Sequence, residues 1–181
     1  MKNMRTKLAV LIAVVTISAS SALASTPAKE ESQATASLIN RIQKKLVTLP
    51  FYGVFDHLAF KVQGETVTLY GQAVRPTTRH DAERRVASIE GVERVINNIE
   101  VLPLSQFDQS IRLRAYRTIF RTAGLYRYAQ GANPALHIIV NRGRVTLEGV
   151  VNTDADSRLA YMAASQIPDV FSVTNNLRVD R

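Results

Sequence analysis

Between Ser110 and Gln130 the chain reads SIRLRAYRTIFRTAGLYRYAQ, placing Arg112, Arg114, Arg117, Arg121 and Arg127 beside Tyr126 and Tyr128. A guanidinium presents a planar fork of donors that matches a phosphate group. A tyrosine next to it has an apolar ring and a polar tip, the combination that settles at headgroup level on a membrane. At helical spacing Arg114, Arg117 and Arg121 form a narrow stripe, with Ile111, Ala115, Tyr116, Ile119, Phe120 and Ala123 spread over the opposite side. Arg112 falls inside the apolar arc, from where its long stem can snorkel outward. Tyr126, Arg127 and Tyr128 follow Gly124, a residue type that ends helices. Each basic side chain near an anionic bilayer contributes about 1 kcal/mol, so these residues together predict weak, salt-sensitive adsorption to a phosphate-bearing surface. The plainer reading of the same pattern is a helix packed by its apolar side, with the arginines as a solvated face.

Other chemistry is not encouraged. His57, His80 and His137 sit in different predicted elements without ligand-like spacing, and the carboxylates are scattered. There is no phosphate-binding glycine loop, nucleophile elbow, dinucleotide glycine pattern or H-E-x-x-H zinc motif. The chain has no cysteine, which removes disulfides, thiolate catalysis and thiolate metal sites. The expectation is a protein that is not an enzyme, with no catalytic residues, no metal and no cofactor.

The elements that would position the arginines are written twice. A shift of 78 residues aligns Val67–Val101 with Val145–Val179 without a gap, and 11 of 35 positions are identical. They include the V-T-L-x-G of Val67–Gly71 and Val145–Gly149 and the paired asparagines Asn97–Asn98 and Asn175–Asn176. Such identities fall where a shared fold would demand them, so the direct reading is two copies of one domain. Each copy predicts helix–strand–strand–helix–strand. In the first, Leu38, Ile39, Ile42 and Leu46 line one side of a helix. "QGET" and "NRGR" read as hairpin turns. Alternation in TVTLYGQAV and RVTLEGVV buries one face of the second strand. The second helix begins near Pro76, with Thr78–Asp81 and Thr153–Asp156 as capping pairs and Asp81–Arg85 as an i,i+4 ion pair. Gly91 ends that helix in the first copy, and Pro168–Asp169 in the second. Gly71 and Gly149 mark a bend or a close backbone approach more readily than a ligand site. The predicted class is α+β: two tandem small domains, each with a three-stranded sheet covered on one face by two helices.

The N-terminus has a basic start (Lys2, Arg5, Lys7), the apolar run Leu8–Ile17 and the small residues Ala22 and Ala24. That is the three-part form of a secretory signal peptide cleaved after Ala24, and the run is short for a membrane span, which needs about 20 residues. The expected organisation is 1–24 signal peptide, 25–36 flexible linker, 37–102 first domain, 103–109 linker and 110–181 second domain. Removing three basic residues from 23 leaves 20 against 15 acids, a charge of +5, and all ten basic residues of 104–181 are arginine. In an exported protein this excess points to anionic surfaces rather than nucleic acid.

The element order, the V-T-L-x-G strand, the mid-helix Ala82 and Ala160, and the closing Gly91-Val92-x-x-Val95-x-Asn97-x-Ile99-x-Val101 resemble the BON domain, the module named from bacterial osmotically inducible and nodulation proteins. The second copy departs by carrying Asp169 in place of the glycine. The resemblance covers about residues 37–102 and 110–180. It implies an exported, paired-BON protein similar to the envelope-stress and outer-membrane-integrity proteins of Gram-negative bacteria. The family is linked to anionic phospholipid, in some members through a helix of the second domain. Without a lipid-bearing cysteine the chain resembles the soluble periplasmic branch. The expected partners are therefore anionic phospholipid, such as the inner leaflet of the outer membrane, or envelope proteins, with no nucleic acid and no small-molecule substrate. The expected role is support of the envelope under osmotic stress, through Arg112, Arg114, Arg117, Arg121, Tyr126, Arg127 and Tyr128. The alternative is a protein-interaction or chaperone-like module using exposed sheet faces and the cleft between domains.

Overall fold

The computed structural model describes residues 27–131 and 133–180, so the export signal read at 1–24 lies outside the described residues. The first half comprises α1 (Pro27–Val47), β1 (His57–Gln63), β2 (Thr66–Ala73), α2 (Pro76–Ala87), β3 (Arg94–Asn97) and β4 (Glu100–Val101). The second comprises α3 (Gln106–Arg121), a 3-10 turn (Leu125–Ala129), β5 (Leu136–Asn141), β6 (Arg144–Val151), α4 (Asp154–Ser165), β7 (Ser172–Asn175) and β8 (Arg178–Val179). In each half the middle strand is central, antiparallel to the strand before it and parallel to those after it. Two separate apolar clusters form, one around Leu69 and one around Leu147, each with its two helices on one face of its sheet. The fold is the predicted tandem α+β pair.

The repeat is repeated in the contacts. Leu58 pairs with Gly71, and Leu136 with Gly149. Both glycines lie at positive φ, +109° and +117°. A Cβ at Gly71 would stand 2.0 Å from the His57 carbonyl oxygen, and one at Gly149 would stand 2.1 Å from that of Ala135. The fixed glycine of V-T-L-x-G is thus a close-approach position, as the sequence favoured. The repeated asparagines brace the same joint. Asn97 Nδ2 donates to the Arg79 carbonyl and Asn175 Nδ2 to that of Ser157, tying the third strand to the preceding helix in both copies. Their Oδ1 atoms accept from Ile99 and Leu177 N–H. These local bonds interrupt the ladder, so each expected third strand is split in two: β3 and β4, then β7 and β8.

Several expectations shift. Helix α1 already starts at Pro27 and runs through most of 25–36, where a flexible linker was expected. Ile39 is 38% exposed, while Leu38, Ile42 and Leu46 are buried. Helix α3 begins at Gln106, because Ser105 Oγ accepts from Asp108 N–H at 3.2 Å and caps it; the 103–109 linker shrinks accordingly. Thr153 and Asp156 do cap α4. Thr78 and Asp81 do not cap α2. Pro76 starts that helix, Arg75 is its N-cap, and Thr78 is turned inward and fully buried. Asp81 pairs with Arg84 rather than Arg85.

The halves are joined through β5. Its outer edge is covered by the loop before β1, with Ile138 N–H donating to the Val54 carbonyl at 2.7 Å. His137 Nδ1 lies 3.2 Å from the Gly53 carbonyl oxygen, and its ring packs on Tyr52 and His57, centroids 5.5 and 5.9 Å away. Burial pushes His137 down to about 4, against the upward pull of that carbonyl, and also lowers His57. His137 is thus neutral in the folded protein. Because its folded pKa lies below its unfolded value of 6.5, the stability it contributes is complete above pH 6.5 and is lost as pH falls toward 4. Between pH 7.5 and pH 5 that amounts to about 2 kcal/mol. Asp56, raised by burial, works in the opposite sense at the acid end, so the measurement is a difference. Chemical denaturation of wild type and His137→Phe at both pH values should show that the variant lacks about 2 kcal/mol of the wild type's acid loss.

Candidate functional site: the outward face of the third helix

Helix α3 buries Ile111, Ala115, Ile119 and Phe120 against Leu136, Ile138 and Val140 of β5. It ends at Thr122, and Gly124 at φ +84° turns the chain into the 3-10 segment. The seven residues expected to bind lipid are separated by this packing into three kinds.

Arg112 and Tyr128 are interior. Arg112 is 2% exposed. Its Nη2 donates to the Val140 carbonyl at 2.8 Å and its Nη1 reaches Gln109 Oε1 at 3.5 Å. Burial lowers its pKa, opposed by the carboxylates of Asp108 and Asp56. The expected snorkelling does not occur, because a strand carbonyl lies within reach on the inner side. Tyr128 is 4% exposed. Its hydroxyl donates to Asp156 Oδ2 at 3.0 Å and accepts from Asn152 N–H at 2.8 Å. In the first half Asp56 does the equivalent work, accepting from Val74 N–H at 2.7 Å. Neither Arg112 nor Tyr128 faces a ligand.

Arg127 and Arg114 are engaged. Arg127 pairs with Asp156 at 2.8 Å and lies over the Tyr128 ring. Arg114 pairs with Asp169 at 3.0 Å. Asp169 is the counterpart of Gly91 and holds the same left-handed backbone, φ +67° against +90°. The departure from the glycine pattern therefore retains the turn and adds an anion that ties down one arginine.

Arg117, Arg121 and Tyr126 are open. They share a shallow depression with Tyr116, and neither arginine has a carboxylate within 4 Å among the described residues. Tyr126 is 60% exposed, Tyr116 40% and Leu113 43%. Tyr116 is propped outward between Phe55 of the first half and Phe120, centroids 6.3 and 5.0 Å away. Leu113 and Tyr116 were missed as surface residues. The signal was present in the i,i+3 step from Leu113 to Tyr116, a second apolar strip outside the core-facing one. The resulting surface carries two unpaired guanidinium groups flanked by two tyrosines and a leucine, so cationic forks stand beside rings with an apolar body and a polar tip.

The fold also brings together two of the three histidines that sequence spacing kept apart, with Glu148 Oε2 3.9 Å from His57 Nε2. Among the described residues no group of three or more His, Asp or Glu side chains is placed to hold a metal. No helix among them is long and apolar enough to cross a membrane.

A family model, the BON domain, matches residues 35–103 and 128–181. Helix α3 falls between the two matched regions. Two solved structures of CdsD, a structural protein of the type III secretion system of Chlamydia trachomatis, are similar at low level. One, its C-terminal domain, has 13% identity and a TM-score of 0.29, covering 80% of this chain and 98% of that one. The other has 12% identity and the same TM-score, covering 80% and 94%. Likeness at that level bears on neither fold nor function. No curated protein matches the chain.

Proposed function

The chain belongs to the BON domain family, and from that premise we propose that it is a non-catalytic periplasmic binding protein that adsorbs to anionic phospholipid and supports the cell envelope under osmotic stress. The observation that carries this reading is the open face of α3, where Arg117 and Arg121 stand unpaired beside Tyr116 and Tyr126. Two free cations contribute about 2 kcal/mol near an anionic surface, and the aromatic tips add interfacial area. Binding is thus weak, reversible and salt-sensitive, suited to patrolling a membrane surface rather than anchoring in it.

Co-sedimentation with phosphatidylglycerol and phosphatidylcholine vesicles tests this. Wild type should bind only the anionic vesicles. Arg117→Glu/Arg121→Glu, a change of four charges, should reduce that binding about a hundredfold or more. Asp169→Asn frees Arg114 and removes an anion, so it should raise binding severalfold; asparagine tolerates the left-handed backbone. Undiminished binding by a folded Arg117→Glu/Arg121→Glu protein would eliminate this surface. A protein-docking role is the second reading. It is favoured by Tyr70 and Ile96, 39% and 43% exposed on the uncovered face of the first sheet, and is supported if neither vesicle is bound.

A further inference from the structure

The ends of α1 and α2 leave an open depression between them, walled by Arg41, Lys44, Lys45 and Arg85, with Glu90 as the one acid on its lining. None of the four cations has a carboxylate within 4 Å among the described residues. One of them is set in place. Arg85 leaves Asp81 to Arg84, and its Nη1 donates to the Thr48 carbonyl just beyond α1 at 3.4 Å. Arg41 Nη2 lies 4.0 Å from where a Cβ on Gly91 would stand, which puts its guanidinium beside the turn that follows α2.

Helix ends account for part of this charge. Each carries about half a negative charge, which Lys44, Lys45 and Arg85 complement. Two helix ends and Glu90 together supply about two negative charges against four positive ones, leaving about two unbalanced. Arg41 stands more than a turn before the end of α1, outside the range of that effect.

We propose that this depression is a second anion site, on the first domain, and that it takes a phosphoryl group. The forks of Arg41 and Arg85 grip its oxygens while Lys44 and Lys45 supply charge. A phosphomonoester dianion matches the unbalanced charge, and pyrophosphate presents the same terminal group with at least that charge. The phosphoryl group belongs either to a lipid headgroup or to a soluble phosphate, since the chemistry is the same. The site is independent of the α3 surface.

The test is amide NMR of the ¹⁵N-labelled protein titrated with pyrophosphate and, separately, with phosphatidic acid vesicles, whose headgroup is a phosphomonoester. Pyrophosphate should give saturable shifts at Arg41–Thr48 and Arg85–Gly91. Affinity should fall about tenfold in Arg41→Gln/Lys45→Gln, whose side chains are exposed, and severalfold in Arg85→Lys, which keeps the charge and loses the fork. It should be unchanged in Arg117→Gln/Arg121→Gln. If vesicles perturb the same amides in that last variant, a lipid headgroup is the ligand; if only pyrophosphate does, a soluble phosphate is. No saturable change from either ligand, or the same change in Arg41→Gln/Lys45→Gln, overturns the proposal and leaves the α3 reading standing.

Discussion

Gly149→Ala should unfold the second domain. The added methyl meets the Ala135 carbonyl oxygen at 2.1 Å, a main-chain atom that cannot step aside without breaking the Val150 N–H bond it accepts. The residue also lies at φ +117°, a conformation costing an L side chain about 1–3 kcal/mol. Strain, overpacking and a lost buried hydrogen bond together give about 5 kcal/mol, close to the whole stability of a small domain. Gly71→Ala should do the same to the first domain, where the oxygen of His57 stands at 2.0 Å. Gly91→Ala is the control. Its φ is +90°, yet the nearest atom is the end of the exposed Arg41 side chain, 4.0 Å away, so it should cost only about 1–2 kcal/mol. Urea denaturation of the three variants separates conformational strain from steric collision. A mild Gly149→Ala would mean that β5 and β6 are further apart than described.

Asp108→Ala should lose about 3–5 kcal/mol. The carboxylate is 1% exposed and accepts from two amides of the β5–β6 turn, Arg142 N–H at 2.9 Å and Gly143 N–H at 2.8 Å. That turn puts both central residues at positive φ, 52° and 74°, so it relies on these bonds to hold Arg142 there. Removal leaves two amides unsatisfied, and takes away the anion that helps keep Arg112 charged in its buried place. Asp108→Asn retains one acceptor oxygen and should cost roughly half as much. Thermal denaturation of both variants checks the order. A loss under about 1 kcal/mol for Asp108→Ala would show that water replaces the carboxylate.

Much of this was legible in the chain. The repeat carried the element order, the strand faces and the two close-approach glycines, because each depends on local spacing or on a backbone that permits no side chain. The candidate site was legible only as a region. Helical spacing put Arg112 in the apolar arc, which is where it lies, but whether it turns outward or inward depends on the Val140 carbonyl, 28 residues away. Tyr128 looked like an interfacial tyrosine because its partners, Asp156 and Asn152, come from the far side of the β5–β6 hairpin. Thr78 matched a capping pattern that Pro76 pre-empted by starting the helix earlier. The basic depression of the first domain went unseen because its arginines belong to two helices that only tertiary packing brings together.

The bond from Ile138 to Val54 makes the duplication asymmetric. The front copy lends a loop that closes a strand margin of the back copy. A fragment holding the back copy alone would present that margin bare, inviting other chains to add to it as a further strand. The duplicate halves thus descend from one pattern without being interchangeable: the leading copy acts as a built-in guard against self-association of the trailing one.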